Sequence, residues 1–247
     1  VSGLLVAVRY LTILPVPGRA RGGPEVLGRA AAWFPVVGLA LGAGLVVVDR
    51  ATAWLFPTLL ASLLVVTAWK LATGGLHLDG LADCLDGLVG HDAAHRLAIM
   101  RDSRIGAFGA VGLILFLFLE VESLAELASA DRWRALLVAP VVGRSAAPLV
   151  ARLHRPARAD GHGAAFLAGV RARGVVAALG LTAATAAIVL GVAGVAAAAV
   201  GVVAATALAG FLARRLGGVT GDVLGAAVEV AEVAVLLTVA AWTHVRP

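Results

Sequence analysis

The sequence predicts an all-α polytopic membrane protein, and three observations carry that expectation. Of its 247 residues, 61% are hydrophobic and 14% charged, and the mean hydropathy is +0.98. Soluble domains carry roughly 25% charged and 45–50% apolar residues. The apolar residues gather in long stretches, several close to the ~20 that a helix needs to cross a bilayer. The arginines cluster in the short segments between those stretches.

Eight apolar segments follow one another: Leu4–Pro15, Ala31–Val48, Pro57–Ala72, Ile105–Val121, Leu136–Leu153, Val175–Val192, Val195–Leu212 and Val223–Trp242. The last seven are expected to span. The first is short and holds Arg9 and Tyr10, which leaves an interfacial, a re-entrant and a spanning placement open. The pair at 175–212 is almost pure Ala, Val, Leu and Gly and is joined at Gly191–Gly194 without a polar loop. Such small residues let helices approach closely in lipid. No soluble domain, internal repeat or long linker interrupts the chain, so one membrane domain over 1–247 is expected. No Arg-rich segment with a small-residue cleavage site precedes the first apolar stretch, so no cleavable signal is expected. The single cysteine, Cys84, excludes an internal disulfide and a cysteine-built zinc site.

The placement of arginine orients the spans. Arg19, Arg21, Arg29, Arg96, Arg101, Arg104, Arg152, Arg155, Arg158, Arg171, Arg173, Arg214 and Arg215 fall in one set of alternate loops. Arg50, Arg132, Arg134 and Arg246 fall in the other. The positive-inside rule puts the first set in the cytoplasm. The formal charge of +5 is read the same way, as topology, and no nucleic-acid partner is expected.

Three polar clusters lie on that cytoplasmic side, while the outer halves of the spans read as nearly pure hydrocarbon. In "TGGLHLDGLADCLDG" (73–87), Asp79, Asp83 and Asp86 are spaced i, i+4 and i+7 and project from one face of a helix. Three like charges there raise one another's pKa unless they share a cation. Hard carboxylate oxygens suit Mg²⁺, which takes one or two carboxylates and fills its shell with water and phosphate. A solvated acidic helix end is the plainer reading of any one of them. "MRDSRIGAFG" (100–109) sets Arg101, Asp102, Ser103 and Arg104 before a span opening in small residues. Arg grips phosphate with a planar fork of donors. "GGVTGDVLGAAVEVAE" (217–232) carries Thr220 and Asp222 in a Gly-rich turn, with Glu229 and Glu232 deeper on one broad face. Glu229 is expected to face inward, toward a polar cavity, another helix or Arg144. Arg144, inside a span, and His77, beside the Asp stripe, are further candidates for substrate contact.

These motifs, in this order, resemble the cobalamin 5′-phosphate synthases, or adenosylcobinamide-GDP ribazoletransferases. "RYLTILPVP" (9–17) and "FPVVGLALG" (34–42) carry the resemblance across essentially the whole chain. It implies a Mg²⁺-dependent enzyme of the bacterial inner membrane, with its active site facing the cytoplasm. α-Ribazole or its 5′-phosphate would be joined to adenosylcobinamide-GDP, GMP released, and adenosylcobalamin or its phosphate formed. Asp79, Asp83 and Asp86 would hold the metal, Arg101 and Arg104 would clamp phosphate, and Asp86 or Asp222 would act as base. Besides the bilayer, a second copy of the chain or other cobalamin-assembly enzymes are conceivable partners.

Other classes stay open at this point. CDP-alcohol phosphotransferases and prenyltransferases also use paired Asp motifs at helix ends. The first expects Arg where Asp83 stands, and the second wants two Asp-rich motifs where Asp222 stands alone. A small-solute permease would need polar residues along a route across the bilayer.

Overall fold

The computed structural model describes residues 3–16, 24–158 and 162–245. Arg19, Arg21 and Arg246, used above for orientation, lie outside the described residues. The described chain is helical throughout, apart from loops and one isolated bridge between Pro156 and Val219. α1 (Gly3–Leu11) and α2 (Pro24–Ala30) lead into α3 (Phe34–Leu55) and α4 (Thr58–Ala72). α5 (Leu76–Gly87) and α6 (Ala93–Ile99) precede α7 (Ala107–Ala125) and α8 (Ser129–Leu153). α9 (His162–Gly169), α10 (Ala172–Leu216) and α11 (Gly221–Val245) complete the fold.

Among the described residues, five helical stretches are long and apolar enough to cross a membrane, six if the bent α4–α5 pair is one span, among them the 45-residue α10. Gly191 breaks α10 with a left-handed φ of 59°. The sequence divides the same region in two at Gly191–Gly194. α1 is nine residues long, about 13 Å at the helical rise, and so does not cross. α4 and α5 form a bent pair, turned by 91° at the Thr73–Gly75 break. Gly74 and Gly75 both take positive φ there, 61° and 68°, which two consecutive side-chain-bearing residues would resist. α5 therefore leaves the line of α4 and runs across one end of the bundle, outside the spans.

α8 is the axis of the molecule: it packs on α3, α10 and α11, and nearly all of it from Ala135 to Ala151 is buried. Its contact with α3 is set by Gly38 and Gly42, four residues apart. A Cβ on Gly38 would lie 2.5 Å from the Pro140 carbonyl oxygen, and one on Gly42 2.8 Å from that of Leu136. Pro140 has no N–H, so the Leu136 carbonyl lacks its helical donor, and a glycine face lets the neighbouring backbone close over it. Around this centre, α3, α4, α7 and α10 turn bare Leu, Ile, Val and Phe outward, including Ile114, Phe118, Val176 and Ile188. That is the surface lipid requires.

The spans are less purely apolar than their sequences suggest. At the end away from the Asp-rich motifs, Arg132 Nε is 2.5 Å from Asp49 Oδ1, and its Nη1 donates to the Ser62 hydroxyl and the Leu124 carbonyl. At the opposite end the arginine loops converge. Arg155 donates to the Gly217 carbonyl, Arg158 to that of Leu97, and Arg96 reaches that of Arg215.

Gly38→Leu should overpack the α3–α8 contact and cost about 2 kcal/mol. A lowered midpoint in thermal unfolding of the purified, detergent-solubilised protein would show it, whereas Gly44→Leu, where a Cβ meets open space, should leave the midpoint unchanged.

Candidate functional site

α5 and the first turn of α11 build the site, and glycine lets them meet. A Cβ on Gly80 would fall 2.7 Å from the Asp222 carbonyl oxygen, so only glycine allows the start of α11 to lie against α5. The α11 end is itself pinned. Thr220 is its cap, accepting the Val223 N–H at 3.3 Å and donating to Asp222 Oδ2 at 3.1 Å. The strap before it is tied to the loop after α8 by Ala157 N–H to Val219 O and Val219 N–H to Arg155 O, both 2.9 Å.

A cleft of about 840 Å³ opens over α5. Asp79 and Asp83 line it from one side, and Arg101, Asp102, Ser103 and Arg104 from the loop opposite. Asp102 grips Arg104 with both oxygens, at 2.6 Å to Nη2 and 3.0 Å to Nε, and also accepts its backbone N–H. Those bonds hold the exposed Asp102 carboxyl at about 2, well below the usual carboxylate range, and keep it ionised. Asp83 goes the other way: burial, then the charges of Asp222, Asp79 and Asp86, push its carboxyl up to about 7. The site thus concentrates negative charge along α5 and positive charge across from it.

Behind Asp79 lies a second, narrower pocket of about 90 Å³. Tyr10, Leu76 and Asp79 line both cavities, while His77, Arg144 and Asp222 line the narrow one. Sequence reasoning passed over its aromatic wall, since Tyr10, Phe34 and Phe166 are distant in the chain and look like ordinary apolar residues.

Three of the expected residues take other roles. Asp86 is buried, and its carboxylate accepts the Gly106 and Gly109 N–H groups at 2.7 and 2.8 Å. It therefore anchors the start of α7, where free N–H groups and the helix dipole attract an anion, and it does not complete a three-carboxylate cradle with Asp79 and Asp83. Thr220 lines neither the cleft nor the narrow pocket, because its hydroxyl is spent on capping α11. Glu229 lines neither of them: Lys70 Nζ lies 2.6 Å from its Oε2 and 2.7 Å from Glu120 Oε1, and Arg144 pairs with Glu232. Among the described residues, Glu120, Glu229 and Glu232 are the one group of three candidate ligands whose oxygens lie within 4.8 Å of one another. Lys70 already supplies their positive charge. Lys70 was detectable as the lone lysine inside an apolar segment, which in lipid must find a partner.

With this geometry in hand, the chain can be compared with known proteins. The family model for cobalamin-5-phosphate synthase matches residues 3–240. An adenosylcobinamide-GDP ribazoletransferase of Geotalea daltonii is 40% identical over 237 residues, covering 96% of this chain and 96% of that protein. One from Citrobacter koseri is 43% identical, covering 92% and 95%. One from Roseiflexus sp. is 39% identical, covering 94% and 87%. No solved structure matches the chain.

Asp86→Ala should lower stability by about 2 kcal/mol, by orphaning the buried Gly109 N–H and removing the partner of the part-buried Gly106 N–H. Asp79→Asn, at an exposed position, should leave it within about 0.5 kcal/mol. Thermal unfolding of the two variants side by side in detergent separates an anchor from a site residue.

Proposed function

The chain belongs to the cobalamin-5-phosphate synthase family, and on that premise we propose that it joins α-ribazole or its 5′-phosphate to adenosylcobinamide-GDP, releasing GMP. The observation that carries this reading at the level of residues is the cleft with carboxylates on one wall and arginines on the other. Such a pairing suits displacement at a pyrophosphate, where charge builds on transferring and leaving oxygens. Membership also selects among the enzyme classes that paired Asp motifs leave open.

A ribose hydroxyl of the acceptor attacks the phosphorus on the cobinamide side. A new P–O bond forms there, the bond to the GMP oxygen breaks, and the hydroxyl proton passes to a carboxylate. Asp222 is the better base of the two the sequence offers, because Thr220 holds it at the site while both Asp86 oxygens already accept backbone N–H groups. Arg104, braced by Asp102, and Arg101 grip the phosphates of the donor.

The donor set fits a hard divalent cation. Asp79 and Asp83 bring two carboxylates into open space, and the raised Asp83 carboxyl marks an uncompensated crowd of negative charge. Mg²⁺ held by these two residues would neutralise the phosphate oxygens. By the positive-inside rule the cleft opens to the cytoplasm, where a polar nucleotide reaches it from water.

Asp83→Asn should lower turnover of adenosylcobinamide-GDP with α-ribazole at least 100-fold (~2.7 kcal/mol). GMP release together with corrinoid product, followed chromatographically with Mg²⁺ and with EDTA, tests this, and full activity in the variant would move the cation elsewhere. The pH dependence has a definite sign. Below about 7 the Asp83 carboxyl keeps its proton and cannot ligate, and above it the proton is gone. The Mg²⁺ concentration for half-maximal turnover should therefore fall from pH 6 to pH 8, by up to roughly tenfold per pH unit below the titration midpoint.

A further inference from the structure

Two substrates must meet at one reacting centre, and the structure offers two cavities that share Asp79. They differ in chemistry. The open one is broad, polar and lined by two arginines. The narrow one has an aromatic wall in which Tyr10 and Phe34 stack at 6.3 Å between ring centroids, and Phe34 and Phe166 at 5.9 Å. Its polar groups are sparse. His77 is 5% exposed, and its Nδ1 has no hydrogen-bond partner among the described residues. Arg144 is 1% exposed and already pairs with Glu232.

We infer that the narrow pocket takes the benzimidazole base of the acceptor nucleoside, with His77 Nδ1 hydrogen-bonded to a ring nitrogen and the donor's nucleotide confined to the open cleft. This rests on the transfer reading above.

Charge, shape and connectivity each support the assignment. The lining has two carboxylates, Asp79 and Asp222, against one guanidinium that Glu232 offsets. A phosphate has no net positive charge to meet there, whereas a neutral ring with apolar edges does not need one. Flat rings pack well against aromatic and aliphatic walls, and a buried unpaired imidazole nitrogen gains most from a partner. A nucleoside seated base-first turns its ribose toward Asp79 and Asp222, whose oxygens accept from sugar hydroxyls. Asp79 lies on the boundary, so the hydroxyl emerges where the donor's phosphates face Arg104.

The test separates the two substrates by steady-state kinetics in detergent-solubilised enzyme, with α-ribazole and with α-ribazole 5′-phosphate as acceptors. His77→Leu should raise the KM for either acceptor roughly tenfold. Ala147→Leu, which fills the pocket from α8 and removes no polar group, should do the same. Both should leave the KM for adenosylcobinamide-GDP within about twofold, which also shows that they are folded. Arg104→Ala should give the reverse split. A raised donor KM with an unchanged acceptor KM in His77→Leu and Ala147→Leu would overturn the assignment, as would no change in either. Failure of the transfer reading looks different, because wild-type protein would then make no corrinoid product from these substrates.

Discussion

The constraint on which the rest of this structure depends is that charge inside a bilayer must be paired within the protein. Lys70, Arg144, Glu120, Glu229 and Glu232 come from four helices, α4, α7, α8 and α11, and meet buried inside the protein. Each charge is tolerable only because the others are there, and removing one partner of a buried pair typically costs 3–5 kcal/mol. The network therefore does more than hold four helices together. It fixes their rotation, since a turn of any one about its axis would carry its charge into lipid. Gly143 shows how tightly the contact is drawn: a Cβ there would lie 2.6 Å from Glu232 Cγ, on the path the carboxylate takes to Arg144.

That fixed rotation sets the site. Arg144 links the network to the narrow pocket, so the depth and angle of one determine the wall of the other. Lys70 lies three residues before the Thr73–Gly75 break, and its pairing with Glu120 and Glu229 anchors the end of α4 just where the chain turns into α5. The bend then aims the Asp stripe across the bundle instead of along it. With Gly80 against Asp222, the stripe meets the start of α11, and acidic residues some 140 positions apart in sequence come to share one electrostatic neighbourhood. The end that carries the cleft is thus a consequence of how the membrane interior is neutralised.

The sequence makes the long apolar helices readable because they follow from local rules, but not their ends: α8 begins at Ser129, seven residues before the expected Leu136, and α3 runs on to Leu55 past Val48. Apolar length marks most of the spans, although α4, expected to cross by itself, has only 15 residues and is long enough only together with α5; Gly191 marks the break in α10, and paired glycines mark the turn at 74–75. Grouping the three motifs at one end was also within reach, since arginine alternation alone implies it. The partners of the buried charges were not. Glu229 at i+7 from Asp222 looks like a deeper member of the same polar face, and periodicity cannot reveal that a lysine 159 residues away claims it. Thr220 has the same ambiguity. A Thr in a Gly-rich turn fits a ligand contact or a helix cap, and only the Val223 N–H beside its hydroxyl decides for the cap.

Asp86 shows most plainly why a stripe of like residues need not share a task. Residues at i, i+4 and i+7 are alike to the helix that bears them, yet each meets a different neighbour as the helix passes through the fold. Asp79 is exposed between two cavities, Asp83 is half-buried over one, and Asp86 is buried against the start of α7. Burial rises from Asp79 through Asp83 to Asp86, and with it the demand that the carboxylate be satisfied by fixed protein donors rather than by water or a bound cation. Gly106 and Gly109 meet that demand, and they can do so only as glycines, because Cβ atoms there would collide with the carboxylate. Asp86 therefore accounts for the glycines that open α7. The arginines just before them line the cleft, Arg104 braced by Asp102. One carboxylate anchors the start of α7, and the other two stay at the wall of the cleft.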